Sequence, residues 1–164
     1  VAVGESGELC IKGPNEMKGY WKNPKDPAES MTPAGYFRSG DVAKMDADGF
    51  FYIVDRTKDM LLCSGYNVYP RVIEEAIYEH PAVAEVCVIG IPDDYRGQSP
   101  KAFVTLKPGA PAPTLDELKA FLKNRLGKHE MIGALEIRAE LPKTAVGKLS
   151  KKDLAEDEAR KRAG

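Results

Sequence analysis

No stretch of this 164-residue sequence comes near the ~20 consecutive apolar residues that a membrane-spanning helix needs, so no transmembrane segment is expected. Net charge is almost absent too. Formal charge is -1, which gives no general attraction to nucleic acid or to an acidic membrane as the main partner. Cysteine is scarce: Cys10, Cys63 and Cys87 are odd in number and lack the short spacing of a metal site. Cys10 and Cys87 sit in apolar runs, and both are expected to be buried thiols in a reducing, cytoplasmic compartment. The opening Val1-Ala2-Val3-Gly4-Glu5 has no initiator methionine and none of the character of a signal or transit peptide, so the chain reads as the middle of a gene. There are no internal repeats.

What is present, 43% apolar and 30% charged residues, is ordinary for a globular chain of one domain, or of one small domain and a piece of another. The first third reads as strands and turns. Glu8-Leu9-Cys10-Ile11-Lys12 alternates and ends at Gly13-Pro14. Asn23-Pro24, Asp26-Pro27 and Thr32-Pro33 mark a loop, with a helical turn expected at 28–31. Asp46-Ala47-Asp48-Gly49 is a turn before the strand formers Phe50-Phe51-Tyr52-Ile53-Val54, and Met60-Leu61-Leu62-Cys63 is a further short strand.

From Pro70 the period lengthens. Proline suits the first helical turn, and Val72, Ile73, Ala76 and Ile77 share one face of a helix that should stop by His80-Pro81. The apolar run 82–91 and the segment 102–106 read as buried strands. Thr114 and Glu117 form a capping-box pattern, opening a helix with Leu115, Leu118, Phe121, Leu122 and Leu126 on one stripe. Residues 135–138 alternate like a strand, 142–148 form a loop, and Ser150 with Asp153 caps a charged final helix. The change of pattern near residue 58 is the expected domain boundary.

Four segments carry chemistry. In Tyr36-Phe37-Arg38-Ser39-Gly40-Asp41 a carboxylate follows a glycine turn, and such a group either closes the turn or accepts two hydrogen bonds from a vicinal diol. Asp55-Arg56-Thr57-Lys58-Asp59 is a polar connector between apolar strands, which is what a solvated hinge requires. In Ser64-Gly65-Tyr66-Asn67-Val68-Tyr69-Pro70 the glycine permits close approach of a thin ligand, or simply makes a turn before the helix. In Pro142-Lys143-Thr144-Ala145-Val146-Gly147-Lys148-Leu149 a lysine after glycine can carry a compact positive charge to a phosphate or carboxylate. It is not a Walker loop, because the first glycine of that pattern is missing.

Taken in order, these segments, together with Gly7-Glu8-Leu9-Cys10-Ile11-Lys12-Gly13-Pro14, Met17-Lys18-Gly19-Tyr20-Trp21 and Glu74-Glu75-Ala76-Ile77, resemble the carboxy-terminal motifs of the adenylate-forming superfamily. That superfamily contains acyl-CoA synthetases, luciferases and peptide-synthetase adenylation domains. The resemblance runs from about Gly4 to Leu154. It implies an α+β chain in which a small lid with a mainly antiparallel sheet flanked by helices, residues 58–164, follows the β-rich end of a large ATP- and acid-binding domain, residues 1–57. Those first residues are expected to be partly disordered for want of packing partners.

The resemblance also implies roles. Asp41 is expected to bind the ribose hydroxyls of ATP, Arg56 to contact the nucleotide, and Lys58 to be the hinge on which the lid swings between half-reactions. Lys148 is expected to bridge the substrate carboxylate and the α-phosphate. Ser64, Gly65 and Tyr66 match the segment facing CoA, with Gly65 lining the tunnel for its pantetheine arm. Asn67 stands where some relatives have a basic residue that contacts CoA phosphates, and Tyr20 and Trp21 are read as packing residues. The implied partners are a carboxylic acid, ATP, CoA and the missing amino-terminal domain, and the magnesium ligand lies outside this sequence. The string Asp55-Arg56-Thr57-Lys58-Asp59-Met60 is more similar to the medium-chain, long-chain and aryl CoA ligases than to acetyl-CoA synthetases. An adenylation domain serving a carrier protein and a non-catalytic binding module are the alternatives.

Overall fold

The computed structural model describes residues 1–17 and 30–163. The motif residues Lys18-Gly19-Tyr20-Trp21, the two proline marks before residue 28 and the first half of the helical turn expected at 28–31 lie outside the described residues; at its end Met31 bridges Phe37 instead of continuing a helix. The chain divides into two compact units, Val1–Lys58 and Asp59–Gly164.

The first unit is a three-stranded antiparallel sheet in chain order: β1 (Ser6–Ile11), β2 (Phe37–Met45) and β3 (Phe51–Arg56). The β2–β3 connection is tied by the Asp46 carboxylate, which accepts hydrogen bonds from the Asp48 and Phe50 amides and the Tyr52 hydroxyl. Those bonds, led by the one from Phe50, hold the Asp46 carboxyl below its ordinary range. Gly40 departs from expectation. It is not a turn ahead of Asp41 but part of a bulge inside β2. Arg38 pairs with Cys10 and Val42 with Glu8, so three residues of β2 face Leu9 alone. Gly40 takes φ +73°, open to glycine without steric cost. The bulge lets a sheet strand, rather than a loop, present Asp41.

The second unit is built on a five-stranded sheet. A hairpin, β4 (Leu61–Cys63) and β5 (Tyr66–Val68), leads into helix α1 (Pro70–Tyr78). The long strands β6 (Val83–Asp93) and β7 (Gly97–Leu106) pair along almost their full length, and helix α2 (Leu115–Leu122) follows. Strand β8 (Ala134–Ile137) lies parallel to β7 at 101–104, while β4 meets β7 at Gly97, and helix α3 (Lys151–Ala163) ends the unit. This is the expected α+β class, with three α-helices among the described residues.

Local sequence accounts for most of these elements. Pro70 occupies the first turn of α1, where the proline's missing amide costs nothing, and Ile73, Ala76 and Ile77 are buried on one face. Thr114 and Glu117 exchange both bonds of the capping box at α2. The Ser150 hydroxyl accepts from the Asp153 amide at the start of α3. Strand β7 begins five residues before the expected apolar segment, because Gly97, Gln98 and Ser99 are recruited by pairing with Asp93, Pro92 and Ile91 rather than by their own propensity.

Alternation along β6 and β7 creates two apolar layers. Val86, Val88, Ala102 and Val104 face α1 and α2, packing with Leu61, Cys63, Val68, Ile73, Ile77, Leu118 and Leu122. Cys87, Ile89 and Phe103 face the other way, toward Leu141, Leu149 and Leu154 of α3. Each fully buried aliphatic side chain here contributes about 1.5–3 kcal/mol relative to exposure. Cys63 and Cys87 are buried, but Cys10 is only half-buried, because it sits in a small sheet rather than between two layers.

Candidate functional site

Asp41 and Arg56 are direct partners across β2 and β3. The Arg56 Nε lies 3.3 Å from Asp41 Oδ1, and both side chains remain open to solvent. The Ser39 hydroxyl accepts from the Asp41 amide, fixing the bulge, and the Asp55 carboxylate accepts from the Arg56 amide. Two residues fifteen apart in the sequence thus form one small anion–cation patch on the face of a sheet. An exposed pair of this kind adds little stability, so its polar atoms are available to a ligand at small cost.

Lys58 is exposed in the middle of the 3-10 turn Thr57–Asp59, at the end of the first compact unit.

Ser64 and Gly65 are the two loop residues of the β4–β5 hairpin, not a turn leading directly into a helix. Both take positive φ, +53° and +82°, the requirement of a tight hairpin loop whose twist matches its strands. A serine there is unusual. The Ser64 amide donates to the Arg96 carbonyl at 2.8 Å. Apart from its chain neighbours, no atom of the described residues lies within 4 Å of a Cβ built on Gly65, so the loop tip is open within its own unit. Tyr66 stacks on the His129 ring, with centroids 4.8 Å apart and planes 23° off parallel. Asn67 is exposed on β5.

Lys148 lies on a different loop. Lys143 and Leu149 bridge, the Thr144 amide donates to the Lys148 carbonyl, the Lys148 amide donates to the Thr144 hydroxyl, and Gly147 turns at φ +79°. The backbone is therefore closed on itself, while the Lys148 side chain is exposed and its ammonium finds no partner among the described residues. Lys143 differs. Its Nζ sits 2.7 Å from Glu85 Oε1, and that hydrogen bond raises its pKa. Leu141 and Leu149 seat this loop in the layer with α3, whereas the hairpin carrying Ser64, Gly65 and Tyr66 is seated through Leu61, Cys63 and Val68 in the opposite layer. The second unit thus presents these two segments from opposite faces of one sheet.

Sequence reasoning passed over Arg96 and His129, which join the hairpin to the segment before β8. The charged, glycine-ended turn Asp93-Asp94-Tyr95-Arg96-Gly97 was a readable signal. Their partnership was not, since they lie thirty-three residues apart. No group of three or more His, Cys, Asp or Glu side chains that could hold a metal ion occurs among the described residues. No described helix is long and apolar enough to cross a membrane.

This architecture is that of the C-terminal portion of adenylate-forming enzymes. ATP-bound MatB from Rhodopseudomonas palustris superposes with a TM-score of 0.87 at 33% identity, over 96% of this chain and 31% of that one. The o-succinylbenzoate CoA synthetase (MenE) from Bacillus subtilis, in complex with its acyl-adenylate intermediate OSB-AMP, gives 0.85 at 33% identity, over 94% of this chain and 31% of that one. Residues 72–148 match the AMP-binding enzyme C-terminal domain. A long-chain-fatty-acid–CoA ligase of Bacillus subtilis strain 168 is 51% identical over 154 residues, covering 94% of this chain. The chain belongs to the AMP-binding enzymes through their C-terminal domain, and is homologous to long-chain-fatty-acid–CoA ligases over nearly its whole length. It spans 27% of the length of that ligase.

Proposed function

We propose that this chain is the C-terminal part of an ATP-dependent acyl-CoA ligase acting on a carboxylic acid of the fatty-acid type. Residues 1–57 are then the β-rich end of its large domain and 58–164 its lid. On this reading the chain, which spans 27% of the length of the Bacillus subtilis ligase, catalyses neither step by itself.

Such a ligase works in two steps. A carboxylate oxygen of the acid attacks the α-phosphorus of ATP. The bond from that phosphorus to the bridging oxygen breaks, and pyrophosphate leaves with the electron pair. The thiol of CoA then attacks the acyl carbon. A carbon–sulfur bond forms, the carbon–oxygen bond to AMP breaks, AMP departs as an anion, and the thiol proton passes to solvent.

The observation that carries this reading is the contrast on one loop between Lys143, paired with Glu85, and Lys148, exposed and without a partner among the described residues. In the first step two anions must meet. At ~4 Å their repulsion is about 1 kcal/mol in water and about 4 kcal/mol near a protein surface, and one ammonium between them reverses its sign. Lys148 supplies that charge without first breaking an ion pair. Asp41 accepts hydrogen bonds from the ribose hydroxyls, Arg56 adds a cation beside the nucleotide, and Lys58 is the pivot that exchanges one lid face for the other. Ser64, Gly65 and Tyr66 then line the path of the CoA thiol, where the open space at Gly65 admits a thin chain.

The test uses the full-length enzyme with a panel of carboxylic acids. Acid-dependent pyrophosphate release should be fastest with fatty acids, and Lys148→Ala should slow it by roughly 10²–10³-fold. Release with no acid in the panel, or an undiminished rate in Lys148→Ala, would overturn the proposal.

A further inference from the structure

Arg96 makes more connections than its place in a surface turn would suggest. The Asp93 carboxylate accepts from the Tyr95 and Arg96 amides and fixes the turn between β6 and β7. From there the Arg96 guanidinium reaches across to the segment before β8. One amino group donates to the His129 carbonyl at 2.6 Å, and the other to the Met131 carbonyl at 3.3 Å and the Ser99 hydroxyl at 3.4 Å. The Arg96 carbonyl accepts from the Ser64 amide. A single residue thus grips both sides of the stack that Tyr66 makes with His129: the hairpin loop through its backbone, and the His129 backbone through its side chain.

The chemistry matches the task. Ser64 holds φ +53°, a conformation that costs a non-glycine residue energy and persists only where its surroundings specify it. Two backbone carbonyls presented side by side suit the rigid planar fork of arginine, and a lysine ammonium cannot span them in the same way. Asp93 and Arg96 are separate from the loop of Lys143 to Leu149, whose contacts are made with Glu85 and within itself.

We propose that Arg96 is a positioning residue for the second half-reaction, holding the Ser64-Gly65-Tyr66 hairpin and His129 as one rigid wall along which the thiol of CoA approaches the acyl carbon. This rests on the acyl-CoA ligase reading. In that step the sulfur–carbon bond forms as the carbon–oxygen bond to AMP breaks, AMP leaves with the pair, and the thiol proton goes to solvent. Arg96 takes no part in the bond changes. It sets where the wall stands.

The experiment measures the two half-reactions separately in the full-length enzyme: acyl-adenylate formation by pyrophosphate release without CoA, and acyl transfer from the preformed adenylate on adding CoA. Arg96→Ala should slow transfer roughly tenfold and raise the KM for CoA, while adenylate formation stays within about twofold. Arg96→Lys, which keeps the charge but loses the fork, should show the same split, and it carries the test if the alanine variant does not fold. Equal losses in both half-reactions, or no loss in transfer, would overturn the role of Arg96 while leaving the ligase reading in place. A wild-type enzyme that forms no acyl-CoA at all would overturn the ligase reading and this inference with it.

Discussion

The ammonium of Lys143 lies 2.7 Å from the carboxylate of Glu85, so the loop that carries Lys148 is pinned to β6 by a lysine that is itself occupied. Position within one motif therefore separates two chemically identical side chains into an anchor and a free charge. Removing each should have a different result. Lys148→Ala should cost the adenylation rate roughly 10²–10³-fold, whereas Lys143→Ala should cost it less than tenfold, because only the loop's placement is loosened. Steady-state pyrophosphate release by the two full-length variants makes the comparison, and equal losses would refute the division of roles.

Asp41 and Arg56 face one another as strand partners, so a change at either should act on nucleotide affinity more than on the sheet. Asp41→Asn keeps the shape and removes the charge. In the full-length enzyme it should weaken ATP binding by roughly tenfold, the value of a lost charge-assisted hydrogen bond, while thermal unfolding of the variant stays within about 0.5 kcal/mol of the parent. Calorimetric titration with ATP checks the first expectation and a melting curve the second.

Acid should loosen α3 through Glu136. Burial alone would raise its pKa, but hydrogen bonds from Lys101, Lys161 and Arg138 bring it from 4.5 to about 2. A folded-state value below the unfolded one means that this stabilisation is complete above the ordinary value of 4.5 and is lost as pH falls toward about 2. Glu158, bonded to the same Lys101 and Lys161, is likewise lowered against its burial. Lys101→Met should therefore move the acid-unfolding midpoint upward by roughly one pH unit. Circular dichroism across an acid titration would detect it, and an unchanged midpoint would show that the network does not govern acid stability.

Cys87 should be the least reactive thiol, since burial beside the Glu74 carboxylate pushes its pKa up to about 12. Cys63 is also raised, by burial first. Cys10, half-buried, should be alkylated ahead of both under native conditions at pH 8, and all three should label equally once the chain is unfolded. Peptide mass spectrometry after a short exposure to iodoacetamide reads the order.

Phe103 is fully buried on the α3 side of the sheet, with the Lys101 ammonium and the Arg138 guanidinium 4.8 and 4.9 Å from its ring centre. Phe103→Ala should destabilise the unit by about 3–5 kcal/mol, against less than about 0.5 kcal/mol for Tyr95→Ala at a fully solvated loop tip. Urea denaturation compares them.

Much of this architecture is written locally. Proline at the start of α1, the Thr114–Glu117 box, the stripe of Leu118 and Leu122, and the apolar runs of β6 and β7 each act over a few residues, and short-range sterics and hydrogen bonding decide them. The motif lysines, Asp41, Arg56 and the Ser64–Tyr66 segment were legible in the same way, as residue types in an order. Tertiary structure decided the rest. It made Gly40 a bulge rather than a turn, because β1 supplies one residue against three. It drew Gly97, Gln98 and Ser99 into β7 because a partner strand was waiting. It left Cys10 partly exposed, paired Lys143 but not Lys148, and brought Arg96 to His129. Each of those outcomes depends on what stands across a sheet or at the end of a long loop, and no local propensity encodes the identity of a neighbour that is distant in the chain.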